Sequence, residues 1–184
     1  MEFTRIGFFL ILLIARLAGA VNLTMIEPVL GKRQLALERG ADHALDPRQG
    51  NIIAQALEIT NGRGFDTVIE VSGAPSACST AIGIAARGAC VELLATYAPN
   101  TTLAVPLTNS YLREVTLITG VCMSPHVLPR TVAIAPKLDL GRLVTLFDPE
   151  QYEEGFDAQS SGDSVKTVFA FHADQEVADF SGSF

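Results

Sequence analysis

Along the chain, stretches in which hydrophobic positions recur with the period of a helix alternate with stretches that have the period of a strand. The apolar run 6–15 predicts a first helix that Gly19 ends. Strands are predicted at 21–26, 43–45, 66–71, 90–95 and 115–119, and later at 143–147 and 165–171. Helices are predicted over 31–39, from an Asp46 cap to 59, from 75 until Gly88, and within 125–135. This alternation predicts βαβ units and a doubly wound α/β fold with a parallel sheet.

The N-terminal apolar run has two interpretations. Its ten residues, 6–15, are too few for a membrane-spanning helix, which needs about 20, so no membrane span is expected. With Arg5 before it and Ala18-Gly19-Ala20 after it, the run resembles a secretory signal cleaved after Ala20. Asn22 and Asn100 would then be glycosylation acceptors. The other interpretation is a buried helix of a cytoplasmic protein.

Length and composition limit the classes of protein to which this chain can belong. The 184 residues, 48% of them apolar, predict one globular domain over 1–171 and a polar, acidic, disordered tail over 172–184. A net charge of −7 makes nucleic acid an unexpected partner. The cysteines are Cys78, Cys90 and Cys122, and the histidines are His43, His126 and His172. Their scattered spacing predicts neither a disulfide framework nor a zinc site.

Several motifs, in order along the chain, point to one family. They are RLAGAVNLTMIEP, KRQLALERGADHALDP, TNGRGFDTVIEVSGAP, and RGACVELLA with LREVTLITG. As a set, over residues 6–171, they resemble the cofactor-binding half of zinc-type, medium-chain alcohol dehydrogenases, which include polyol, butanediol and threonine dehydrogenases. The resemblance implies a Rossmann-like fold, an oxidoreductase function and a bound NAD, with NADP as an alternative.

The resemblance assigns adenosine-side roles to two residues. Glu27 follows the strand 21–26, where an acid accepts hydrogen bonds from the ribose diol of the adenosine. Such an acid disfavours a 2′-phosphate, so NAD is expected in preference to NADP. Arg33, or its neighbour Lys32, is expected near the adenosine. The alternatives are an ordinary exposed turn glutamate and an arginine on a solvated helix face.

Four further residues are expected to bind the cofactor. Ser72 and Gly73 follow the strand that ends at Val71, and the carboxyl ends of parallel strands face the ligand crevice. Gly73 would let the backbone approach the cofactor closely, although a plain strand-to-helix turn is an alternative. Leu94 and Ala95 end the next predicted strand, where the family holds the nicotinamide.

The chain also departs from the family pattern. The glycine-rich fingerprint G-x-G-x-x-G retains only Gly7, and Phe8 stands where its last glycine belongs, so its ring would block the pyrophosphate. The five residues before Ile6 are too few for the central first strand, so that strand is expected to be missing or altered. One alternative makes residues 8–14 that strand. The zinc ligands and substrate pocket belong to a catalytic domain whose motifs are not found here.

These observations predict an NAD(P)-binding domain of an alcohol dehydrogenase-like oxidoreductase, weak or inactive alone. No catalytic residue and no metal ligand is assigned to this chain, although zinc is expected for the family. One alternative is a non-catalytic partner that pairs with a full-length relative, or with its own copy, through the edge strand 115–119. Another is a small secreted protein with a cleaved signal. The expected location is the cytoplasm.

Overall fold

The computed structural model describes residues 5–120 and 127–171, which form two compact units. The first unit contains residues 5–45 and 127–171, and the second contains residues 46–120. Cys122, His126, His172, the residues before 5 and the predicted tail 172–184 lie outside the described residues.

Helices and strands alternate along most of the described chain. In order they are α1 (Arg5–Leu17), β1 (Thr24–Ile26), α2 (Leu30–Glu38), β2 (His43–Leu45), α3 (Ile52–Ile59), β3 (Phe65–Glu70), α4 (Pro75–Ile84), β4 (Ala85–Leu93), α5 (Leu107–Leu112), β5 (Thr116–Thr119), α6 (Leu128–Ile134), β6 (Val144–Phe147), α7 (Tyr152–Ser161) and β7 (Lys166–Phe169). All strand pairs among them are parallel, which confirms the predicted α/β class.

Two short parallel sheets, β1–β2 and β6–β7, belong to the first unit. Its core joins these elements through buried side chains of α1, β1, α2 and the segment before β6. The core residues are Phe9, Leu12, Met25, Ala36, Ala41 and Leu143. Phe9 and Leu12 are three positions apart and therefore lie on one face of α1.

The first helix ends as its sequence predicts. Gly19 has φ +92°, and the Ala20 amide donates to the Ala15 carbonyl at 3.0 Å, as in a Schellman motif. The alternative in which residues 8–14 form a central strand is wrong, because these residues lie inside α1. None of the described helices combines the length and the apolar character that crossing a bilayer requires.

The Asp42 carboxylate ties the end of α1 to the start of β1. Its Oδ2 accepts hydrogen bonds from the Leu23 amide and from Arg16 Nη2, each at 2.7 Å. The Leu23 amide, and next the Arg16 guanidinium, hold the pKa of Asp42 below its ordinary value of 3.8. Because the folded-state pKa lies below the unfolded one, this contribution to stability is complete above pH 3.8 and decreases as pH falls through the folded-state pKa.

Asp42→Asn is therefore expected to lower the urea midpoint of the first unit at neutral pH, and the difference from wild type should shrink in strong acid. Both side chains are more than a third exposed, so added salt should weaken the effect. Urea unfolding at neutral pH and at about pH 2 measures this difference. A difference that is equal at both pH values would contradict a charge-dependent role.

The second unit is built on the three-stranded sheet β3–β4–β5. Its core is made mostly of small residues from α4 and β4, with Val91 completely buried. The core residues are Ala81, Ala85, Ala86, Ala89 and Val91. The parallel pairing of β3 with β4, which ends at Glu70 and Leu93, places the carboxyl ends of these strands beside each other.

Several predicted boundaries in the second unit are wrong. The strand predicted at 90–95 is Ala85–Leu93, so Leu94 and Ala95 follow β4 instead of ending it, because the strand pairing with β3 and β5 stops at Leu93. Helix α4 ends at Ile84, so Gly88 does not end the helix but lies inside β4. The register of the β3–β4 pairing shifts within Phe65–Thr67, so β4 has more residues than β3 there, and Gly88 adopts φ +73° in this bulged part of the strand. Helix α3 begins at Ile52, and its cap is Asn51, whose side chain accepts the Ala54 amide.

Candidate functional site

Glu27 lies at the carboxyl end of β1 and closes the turn into α2. Its amide donates to the Leu45 carbonyl at 3.0 Å, and its Oε1 accepts the Val29 amide at 2.9 Å. The residue is only 5% exposed, so the alternative of an ordinary exposed turn glutamate is wrong. The hydrogen bond from the Val29 amide to Oε1 fixes the carboxylate against the turn.

Arg33 lies on the first turns of α2 and points back to the same turn. Its Nη1 donates to the Glu27 and Pro28 carbonyls, both at 2.7 Å. The structure therefore brings together the two residues that were predicted for the adenosine side. The guanidinium fixes the backbone of the turn and places a positive charge beside it.

Ser72 and Gly73 form the turn between β3 and α4, and Glu70 organises it. The Glu70 Oε1 accepts the amides of Ser72 at 2.6 Å and Gly73 at 3.2 Å, and also the Ser72 hydroxyl. Glu70 is 5% exposed, whereas Ser72 is exposed. The exposed Ser72 and the two amides of the turn are thus held in place by a carboxylate that lies behind them.

The segment after β4 lies directly against this turn. Gly73 has φ +75°, and a Cβ atom there would be 2.9 Å from the Thr96 carbonyl oxygen and 3.6 Å from the Ala95 Cβ. The Leu94 amide donates to the Glu70 carbonyl at 2.9 Å. The structure therefore brings the predicted cofactor-binding residues Ser72, Gly73, Leu94 and Ala95 together at one edge of the second unit's sheet.

The sequence analysis missed the group behind these residues. The Tyr97 hydroxyl donates to Glu70 Oε2, and the Cys78 Sγ lies 3.4 Å from the Tyr97 hydroxyl and 3.9 Å from Glu70 Oε2. Burial is the main cause that raises the pKa of both the Cys78 thiol and the Tyr97 phenol. Both groups stay protonated at neutral pH, so the thiol is a poor nucleophile and the phenol is a hydrogen-bond donor.

The arrangement supports binding rather than covalent chemistry. In the second unit, the exposed Ser72 lies in front of the buried Glu70 carboxylate at the carboxyl end of β3. In the first unit, the buried Glu27 carboxylate lies at the carboxyl end of β1. The carboxyl ends of parallel strands are where α/β proteins bind ligands. Over residues 5–120 and 127–171, no three His, Cys, Asp or Glu side chains are grouped to hold a metal ion. A zinc ion therefore does not fit the described part of the chain.

The expected fingerprint position lies in α1. Phe8 is half-buried and packs against the core of the first unit. Its expected effect on the pyrophosphate stays a prediction.

Strand β5 forms one edge of the second unit's sheet. Among the described residues it pairs with β4 alone, and all four of its residues are exposed. Leu117 and Ile118 on this strand, and Leu107 and Tyr111 on α5, are large apolar side chains with exposed surface. This edge corresponds to the strand that was predicted to pair with another chain.

Comparison with known proteins identifies what the chain is similar to. Residues 6–136 match the family model described as zinc-binding dehydrogenase. The geraniol dehydrogenase of Castellaniella defragrans is 32% identical over 165 residues, which cover 87% of this chain and 44% of that relative. The crystal structure of gutB from Clostridium scindens, described as a zinc-binding dehydrogenase, is 27% identical with a TM-score of 0.83, and the match covers 89% of this chain and 46% of that one.

A further structure, from Sinorhizobium meliloti, is described as a zinc-binding dehydrogenase bound to NADP. It is 24% identical with a TM-score of 0.71 over 78% of this chain and 42% of that one, which shows a shared fold alone. The chain spans about half the length of the curated relatives it matches.

Proposed function

Because this chain belongs to the zinc-binding dehydrogenase family, we propose that it binds NAD(P) as the cofactor domain of an alcohol dehydrogenase-like oxidoreductase. The observation that carries the proposal is the carboxylate of Glu27, which is buried at the end of β1 and hydrogen-bonded through Oε1 to the turn it closes. An acid at this position accepts hydrogen bonds from a ribose diol. Ser72, Gly73, Leu94 and Ala95 are proposed to contact the nicotinamide half.

NAD is proposed as the preferred cofactor, with NADP as the weaker ligand. A 2′-phosphate beside the Glu27 carboxylate would bring two negative charges together in a poorly solvated place. Arg33 is proposed to lie near the adenosine, although its Nη1 already donates to two backbone carbonyls. These two residues therefore oppose each other in their effect on a 2′-phosphate, and the more deeply buried carboxylate is expected to dominate.

Glu27→Ala is expected to weaken NAD binding by roughly 1–3 kcal/mol, because it removes a charged acceptor for the ribose. Glu27→Gln keeps an acceptor for the Val29 amide but loses the charge, so it should reduce the preference for NAD over NADP. Glu38→Gln is the matched control, since Glu38 is exposed on α2 of the same unit. Calorimetric titration with NAD and NADP measures the dissociation constants of wild type and of the three variants.

The outcome that contradicts this role is specific. If Glu27→Gln and Glu38→Gln both keep the wild-type ratio of the dissociation constants for NAD and NADP, the Glu27 carboxylate does not interact with the ribose of the cofactor. Circular dichroism of each variant separates this result from a loss of folding.

Catalysis by this chain alone is proposed to be weak or absent. Bound NAD(P) supplies the chemistry of hydride transfer, and the protein supplies binding and orientation. No residue of this chain is proposed to act as a catalytic group. Its proposed location is the cytoplasm, and secretion after cleavage at Ala20 is the alternative.

A second candidate function is favoured by the exposed β5 edge. Over the described residues the strand pairs with β4 along one side only, and it carries the exposed apolar side chains of Leu117 and Ile118. A homo-oligomer, or association with a full-length relative, is proposed to form through this edge. Such a partner role is compatible with cofactor binding and does not require catalysis.

A further inference from the structure

One buried glutamate in the second unit, Glu70, holds both ends of a short segment. The Glu70 backbone carbonyl accepts the Leu94 amide, and the Glu70 side chain accepts the Tyr97 hydroxyl through Oε2. Leu94 and Tyr97 begin and end the four-residue segment 94–97 that follows β4. Main chain and side chain of a single residue therefore fix this segment at its two ends.

The same carboxylate also shapes the turn on which the segment rests. Its other oxygen, Oε1, accepts the amides of Ser72 and Gly73. At Gly73 the absent side chain leaves room for the Thr96 carbonyl, which a Cβ atom would meet at 2.9 Å. Displacing Glu70 would thus loosen the turn and the segment together.

The residues around this turn differ in exposure: some are accessible to a ligand, and others are buried behind them. Ser72 is exposed and Leu94 is 37% exposed, so both are accessible to a ligand. Glu70 and Cys78 are buried at 5% and 3%, and Tyr97 is half-buried. A buried carboxylate is costly unless hydrogen bonds satisfy it, and here neutral donors fill that role on both oxygens.

We propose that Glu70 and Tyr97 are positioning residues for the nicotinamide half of NAD(P), holding segment 94–97 against the Ser72–Gly73 turn. The inference rests on the proposed function of dinucleotide binding. Neither residue needs to touch the cofactor. Their effect is to keep Leu94 and Ala95 in one arrangement, so that binding does not have to order a loose segment.

The test is Tyr97→Phe, which removes the hydroxyl that Glu70 Oε2 accepts and keeps the ring. Tyr111→Phe is the matched control, because Tyr111 is 81% exposed in the same unit. NADH binding is followed by its fluorescence, and NMN and AMP are titrated separately as the two halves of the ligand. Tyr97→Phe should raise the dissociation constants of NADH and NMN about three- to tenfold, the effect of one hydrogen bond, and leave that of AMP unchanged.

The dependence on the half of the ligand distinguishes positioning from a general loss of stability. A chain unfolded as a whole would weaken AMP and NMN alike, whereas the proposal predicts a change for NMN and NADH only. Because Glu27 and Tyr97 belong to different units, urea unfolding of Tyr97→Phe must also show that the second unit stays folded under the titration conditions. In wild type, NMN but not AMP should slow hydrogen exchange of the Ser72, Gly73 and Leu94 amides, a measurement that requires no variant to fold.

Three results overturn the inference, and they are distinguishable. If Tyr97→Phe binds NADH and NMN like Tyr111→Phe, or if NMN leaves the three amides unprotected, the positioning role is wrong while cofactor binding stands. If folded wild-type chain does not bind NADH, the proposed function fails, and the positioning role fails with it.

Discussion

Replacing Phe9 with alanine is expected to cost about 3–5 kcal/mol of the free energy of unfolding, the usual penalty for truncating a fully buried phenylalanine. Phe9 is 1% exposed and packs in the core of the first unit with Leu12, Met25 and Leu143. Domains of this size are stable by only about 5–15 kcal/mol, so the loss removes a large share of the free energy of unfolding.

The control for Phe9→Ala comes from the same helix. Leu17 is 48% exposed, so Leu17→Ala should change the urea midpoint only slightly. Urea unfolding followed by circular dichroism compares the two variants with wild type. Equal midpoints for Phe9→Ala and Leu17→Ala would mean that α1 is not part of the core.

This prediction also bears on the secreted alternative. Cleavage after Ala20 would remove Phe9 and Leu12, which are two of the six buried residues that make up the first unit's core. We therefore expect a chain that starts at Val21 to be unfolded. A folded 21–184 fragment would favour the secretory signal over the buried helix.

Replacing Gly64 with alanine is the second change with a large expected effect. Gly64 has φ +86°, and a Cβ atom there would lie 2.7 Å from the Ile84 carbonyl oxygen and 2.8 Å from the Ala86 nitrogen. Both contacts are backbone atoms where α4 passes into β4, and backbone cannot move aside as a side-chain end can. We expect a loss of about 2–5 kcal/mol, from left-handed strain and from overpacking.

Gly62 in the same turn gives a close control. It has φ +82° but no atom within 4 Å of an added Cβ, so Gly62→Ala should carry the left-handed strain alone, about 1–2 kcal/mol. The difference between the two urea midpoints measures how closely the turn approaches the α4–β4 junction. If Gly62→Ala and Gly64→Ala are equally stable, this close approach does not exist in solution.

Much of the fold was predictable because it depends on local pattern. The strand His43–Leu45 has its predicted bounds, and β3 is displaced by one residue from the predicted 66–71. The stop at Gly19 follows from a glycine that enters the left-handed region. The end of α4 was predicted wrongly because IAARGA has no clear period, and long-range pairing with β3 determines where β4 starts.

The site was only partly predictable for a similar reason. Glu27, Arg33, Ser72 and Gly73 follow strands, and strand ends can be located from sequence. Glu70 looks like one charge in an apolar run, and its partner Tyr97 lies 27 positions away in a loop. An isolated carboxylate within an apolar strand was the available signal, but it does not identify the partner.

Calorimetric titration of the full 184-residue chain with NAD, after circular dichroism has shown that it is folded, tests the central claim most directly. We predict binding with a dissociation constant of about 10⁻⁶ to 10⁻³ M, and weaker binding of NADP. A folded chain that releases no heat with either dinucleotide would contradict cofactor binding and would favour the partner role of the β5 edge.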